Sequence, residues 1–111
     1  MKYTFVETTA FTARIRKLGL DGDLWLLQRE LLENPKKGDT ESGTGGLRKV
    51  RIRDSTRQQG KRFGARVHYA VAEQRAVIYL LFVYGKDESD VLSNDQKKRL
   101  KAVVSALVDE P

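Results

Sequence analysis

Residues 65–84 read ARVHYAVAEQRAVIYLLFVY, two strand-like runs separated by a short polar turn at Glu73 to Arg75. In Ala65 to Ala72 the period-2 rule puts Arg66 and His68 on one side and Val67, Tyr69 and Val71 on the other. Ala76 to Tyr84 is apolar on both faces, which predicts a central strand covered from both sides. Upstream, Leu47 to Arg53 alternates as well. Val50 and Ile52 face one way while Lys49, Arg51 and Arg53 face the other. These three runs predict a sheet, with one side of two strands carrying positive charge.

Working outward, Lys2 to Glu7 is rich in β-formers and reads as an opening strand. Thr8 or Thr9 then caps a short helix with Phe11, Ile15 and Leu18 on one face, stopped by Gly19. Asp21 or Asp23 caps a second helix in which Leu24, Leu27, Leu31 and Leu32 form an apolar stripe. Asn34-Pro35 ends it, and the short connection predicts a helical hairpin. Lys36 to Gly46 is a polar, Gly-rich loop without periodicity, and Arg57 to Gly64 is a basic loop. Ser93 and Gln96 have the spacing of a capping box. Leu100, Val103, Val104, Leu107 and Val108 follow at helical spacing. The order is β-α-α-β-β-β-α, an α+β chain read as one domain over residues 1–111.

With 111 residues and 40% apolar content, the chain can build a single core. It has no cysteine, which excludes disulfides and thiolate zinc sites, and its one histidine makes a metal site a poor expectation. Nothing calls for a cofactor. The start, MKYTFVETT, is too polar for a signal peptide, and no apolar run approaches the roughly 20 residues of a membrane span. The expectation is a soluble, cytoplasmic protein with no membrane partner.

The charge is unevenly spread. Arg48, Lys49, Arg51, Arg53, Arg57, Lys61, Arg62 and Arg66 face one acid, Asp54, a net of +7. The rest of the chain sums to −1 against a total of +6. A local concentration of this kind marks a phosphate-bearing partner, most often nucleic acid.

Each candidate has two readings. Lys49, Arg51 and Arg53, joined by Arg66 and His68, form either a solvated sheet face or a phosphate site. Like charges in register cost stability, and a bound anion offsets that cost. Arg57, Lys61 and Arg62 are either ordinary loop charges or attract a polyanion at long range. Lys86, just past the strand exit at Gly85, is a phosphate contact or a solubilising end. Tyr69 and Tyr84 stack on a base or fill the core, Tyr69 leaning towards core. His68 is a packing residue or a catalytic one. The GTGG of Gly43 to Gly46 precedes a strand rather than a helix, so it is no nucleotide loop.

Taken together, GTGGLRKVRIR (43–53), GKRFGARVHY (60–69) and YLLFVYGKDESDVLSNDQKKRL (79–100) resemble HigB toxins of the RelE/ParE superfamily. The QRELLENPKKGD turn (28–39) agrees. The resemblance implies a RelE-like fold: a mostly antiparallel twisted sheet on a helical hairpin and a C-terminal helix. It implies the toxin of a type II toxin–antitoxin pair, a metal-independent mRNA interferase that cleaves translated messages in the ribosomal A site. Its partners would be mRNA, the ribosome with its 16S rRNA, and a HigA-like helix-turn-helix antitoxin through which the pair binds operator DNA. The family's basic catalytic face falls on Lys49, Arg51 and Arg66, and the lysine of its YGK motif on Lys86. RelE enzymes carry a catalytic tyrosine after that motif. Here Asp90-Val91-Leu92 stands in the region, which leaves Tyr84 or His68 as substitutes, or the basic residues alone. Arg48, Arg53, Arg57, Lys61 and Arg62 are the expected RNA- and ribosome-binding residues.

Metal-free RNA cleavage needs a base near the 2′ oxygen, positive charge around the phosphorane and an acid for the 5′ oxygen. Arginine stays protonated, so Arg51 and Arg66 are expected to stabilise charge. Lys49 is the leading candidate for base and Lys86 the second. Two rivals stand beside this: a ParE-like gyrase inhibitor, and a non-enzymatic RNA-binding module with the same basic sheet.

Overall fold

The computed structural model describes residues 2–53, 55, 65–85 and 93–108. The elements run β1 (Thr4–Glu7), α1 (Thr9–Leu18), α2 (Asp21–Glu33), β2 (Asp39–Thr40), β3 (Arg48–Ile52), β4 (Ala65–Ala72), β5 (Val77–Tyr84) and α3 (Asn94–Val108), with a 3-10 turn at Glu73–Arg75. The five strands form one sheet in the order β1-β5-β4-β3-β2. Among the described residues only the β1–β5 pair is parallel. β5 is interior to the sheet, as its two-sided apolar sequence predicts. β2 is the addition to the sequence-derived order. Two residues are too few to leave a periodic signal, and their pairing is supplied by β3.

Two cores sandwich the sheet. On one face α1 and α2 bring Phe11, Ile15, Leu20, Leu24, Leu27 and Leu31 onto Val50, Ile52, Val67, Tyr69, Ile78, Leu80 and Val83. On the other, α3 brings Val104, Leu100, Leu107 and Val108 onto Leu47, Ala70, Tyr79, Leu81 and Phe82. Helix ends follow local chemistry. Thr8 Oγ1 accepts from Phe11 N at 3.0 Å, and Gly19 closes α1 in the left-handed region at φ 71°. Ser93 and Gln96 exchange the two bonds of a capping box, at 2.9 and 3.1 Å.

Three expectations need correction. Leu32 and Val103 do not join the buried stripes; they are 43% and 48% exposed. Each lies about 100° around its helix from a buried neighbour, Leu31 or Val104, beyond the narrow seam that meets the sheet. Neither Asp21 nor Asp23 caps α2, because the cap position falls on Leu20 and lacks a side-chain bond. Buried Asp23 instead accepts from Ser55 N at 3.1 Å and Ser55 Oγ at 2.9 Å, tying the first turn of α2 to the chain after β3.

β4 and β5 fall out of step at one point. His68 pairs with Phe82, yet Tyr69 pairs with Leu80, so Leu81 is an extra residue in β5. This bulge reverses which face the strand's alternating side chains address. Ile78 and Leu80 lie towards α1 and α2, whereas Phe82 and Tyr84 share a face with His68 and Arg66.

A basic cleft beside the C-terminal helix

α3 covers only part of its face of the sheet, and the uncovered part carries the charge. Two cross-strand rows define it. One runs Asp39, Lys49, His68, Phe82; the next runs Arg51, Arg66, Tyr84. Directly opposed residues in an antiparallel pair stand about 5 Å apart at Cβ. Arg51 beside Arg66 therefore concentrates two fixed cations, with Lys49 one row away. Lys37, Gly38, Asp39, Lys49, Val50, Arg51 and Arg66 line a cleft of about 440 Å³. It lies where β2 stops pairing and the edge of β3 opens.

The wall of this cleft is held from below. The Tyr69 hydroxyl, wholly buried, accepts from Gly38 N at 2.8 Å and donates to Pro35 O at 2.9 Å. Burial pushes the Tyr69 phenol above its ordinary value, against the opposing effects of the Gly38 N–H and Arg48. Arg48 lies on the face opposite Lys49, and its guanidinium donates to Gly38 O at 2.6 Å and Lys36 O at 3.2 Å. Gly38 is required here: a Cβ would sit 2.8 Å from Lys49 O and 2.9 Å from the Tyr69 ring and hydroxyl.

Beneath Lys49 lies a small ionic cluster. Glu41 Oε1 is 3.0 Å from Lys49 Nζ and 3.5 Å from His68 Nε2. Burial works against the charge on Glu41, but Lys49 and then His68 outweigh it and hold the carboxyl below its ordinary value. His68 is wholly buried and stacks on Phe82, with centroids 4.3 Å apart; Tyr84 stands 5.3 Å from the imidazole.

No protein-family profile matches the sequence. Among solved structures the chain is similar to the Escherichia coli toxin RelE, in a mutant with two arginines replaced by alanine, in the free state. The two share 25% identity with a TM-score of 0.61, over 90% of this chain and 99% of that one. The fold is RelE-like.

Within this RelE-like fold, Lys49, Arg51 and Arg66 come together in one cleft, with Tyr84 beside Arg66. His68 lies under the cleft rather than in it, because its ring is enclosed by Phe82, Tyr84 and Glu41. Arg48 points to the other face and braces the linker before β2. Arg53 lines another groove, of about 260 Å³, against α2, which Arg29, Arg51, Asp23, Glu30 and Glu33 also line. Arg57, Lys61, Arg62 and Lys86 lie outside the described residues. Gly43, Gly45 and Gly46 adopt positive φ, and Lys97 and Lys101 of α3 pack on the first two. GTGG is thus a turn under α3.

Two residues escaped the sequence reading. Glu41 sat in a loop with no periodicity, so nothing indicated its facing. Gly38 gave no signal beyond being one glycine among nine. Among the described residues no group of His, Cys, Asp and Glu could hold a metal ion, and no helix is long and apolar enough to cross a membrane.

Proposed function

We propose that this protein is the toxin of a type II toxin–antitoxin pair, of the HigB kind, and that it cleaves translated mRNA in the ribosomal A site. The single observation that carries this is the convergence of Lys49, Arg51 and Arg66 on one open cleft in a chain with a RelE-like fold. A plain solvated sheet face would spread these cations; here Arg51 and Arg66 are direct cross-strand neighbours. Two like charges held this close repel, and a phosphate bound between them lowers that cost.

In the proposed reaction the ribose 2′-hydroxyl attacks the adjacent phosphorus, and its proton passes to a base. The 5′-oxygen bond then breaks as that oxygen takes up a proton, leaving a 2′,3′-cyclic phosphate and a 5′-hydroxyl. Arg51 and Arg66 stabilise the extra negative charge of the phosphorane, as preorganised donors do in a partly dry site. A basic lysine must be a neutral amine. The carboxylate 3.0 Å from Lys49 is a partner for the ammonium, so Lys49 is assigned to charge stabilisation as well. Tyr84, buried across the strands from Arg66 and outside the cleft lining, is then the remaining described candidate for proton transfer, which would need its hydroxyl to reach the cleft. A HigA-like antitoxin would neutralise the protein by covering this cationic face or by adding bulk that bars it from the A site.

The test is primer extension on a message translated in vitro, with the same RNA free of ribosomes as control. Cuts within codons only when ribosomes are present are the expected result. Cuts in naked RNA would indicate a free ribonuclease. No cuts in either would refute the interferase, and a supercoiling assay with gyrase would then separate a ParE-like poison from a simple RNA-binding module.

A further inference from the structure

Glu41 is a carboxylate beside a cleft lined by the cations Lys37, Lys49, Arg51 and Arg66 and one acid, Asp39. Its backbone is fixed on both sides: its N–H donates to Leu47 O at 2.8 Å, and its carbonyl accepts from Thr44 Oγ1 at 2.6 Å. The side chain turns inward onto Lys49 and His68, and His68 is itself immobilised by stacking on Phe82. Neither Glu41 nor His68 lines the cleft, but Lys49 does.

A negative charge here lowers the cleft's attraction for phosphate, so its contribution must be something other than affinity. A lysine is a flexible four-carbon arm with a point charge at its tip. Catalysis by charge works best when the charge is already oriented before the reaction. We infer that Glu41 is a positioning residue: set beside the buried His68, it holds the Lys49 ammonium at the cleft wall where the scissile phosphate is met. This role presupposes that the cleft cuts phosphodiesters.

The experiment compares wild type with Glu41→Gln, Glu41→Asp, Lys49→Met and the Glu41→Gln/Lys49→Met double variant in steady-state cleavage of ribosome-bound message. Glu41→Gln should lower kcat about 10–100-fold, the range typical of lost second-layer orientation, with KM unchanged or lower because one negative charge is gone. Glu41→Asp keeps the carboxylate and should recover part of the rate. In the Lys49→Met background, Glu41→Gln should change kcat no further. A second readout needs no activity: the Glu41 carboxyl, followed by carbon-13 NMR, should titrate below the usual glutamate range and rise in Lys49→Met, where burial is less opposed. An unchanged kcat in Glu41→Gln, or an equal fall in both backgrounds, overturns the positioning role. If the wild-type protein cuts nothing, the interferase reading fails, and the pairing of Glu41 with Lys49 stands or falls on the titration alone.

Discussion

Replacing Tyr69 by phenylalanine removes one oxygen atom and leaves the ring packed, so it isolates what the hydroxyl does. Two hydrogen bonds disappear, from Gly38 N and to Pro35 O. The first strands a buried N–H, which costs about 1–3 kcal/mol. The second frees a partly buried carbonyl that regains some water, a loss of about 0.5–1.5 kcal/mol. Together the loss should be about 2–3 kcal/mol. For 111 residues, at roughly 2.1 cal/mol/K each, the unfolding entropy is about 0.23 kcal/mol/K, so Tm should fall by about 9–13 °C. Urea unfolding followed by circular dichroism should show a lower midpoint at unchanged slope. A loss below about 0.5 kcal/mol would refute the claim that this hydroxyl ties the linker to the sheet.

The same substitution has a pH signature and a functional one. Because the folded phenol titrates above its ordinary value of 10.0, its share of stability is whole below that pH. That share is lost as pH rises through the folded value. Tyr69→Phe lacks this limb, so the gap between the two proteins should narrow from about pH 10 upward. Since Lys37, Gly38 and Asp39 wall the cleft, loosening them should raise KM more than it lowers kcat.

Arg66→Ala should reduce cleavage of translated message by about 100-fold or more, the usual cost of one transition-state donor, while Tm, read by circular dichroism, stays within a few degrees of wild type; normal cutting would exclude the cleft as the reaction site. Gly38→Ala should destabilise by about 2–3 kcal/mol in urea unfolding, because the backbone carbonyl of Lys49, 2.8 Å from the new methyl, cannot yield cheaply. Ser93→Ala breaks the capping box of α3 and should cost about 1 kcal/mol in the same assay, with the cleavage rate of folded protein unchanged.

Much of this protein was written locally in its sequence. The facing of Lys49 and Arg51 against Val50 and Ile52 follows from period-2 alternation, which no later packing can undo without exposing the core; Arg53, past the end of β3, lies instead in the groove against α2. The Thr8 cap, the Gly19 stop and the Ser93–Gln96 box are interactions between residues a few positions apart, so they too were legible. The tertiary structure decided the rest, because it rests on partners far away in the chain. β2 exists only because β3 offers it an edge. The Leu81 bulge turns Phe82 and Tyr84 to the side of Arg66, which an unbroken alternation from Ile78 and Leu80 would forbid. Glu41 became part of the cleft's base when β2 set it beside Lys49 and His68. Arg48, expected to bind RNA, donates instead to the linker carbonyls of Lys36 and Gly38. Alternation assigns a side chain to a face; only the pairing of distant strands determines what it meets there.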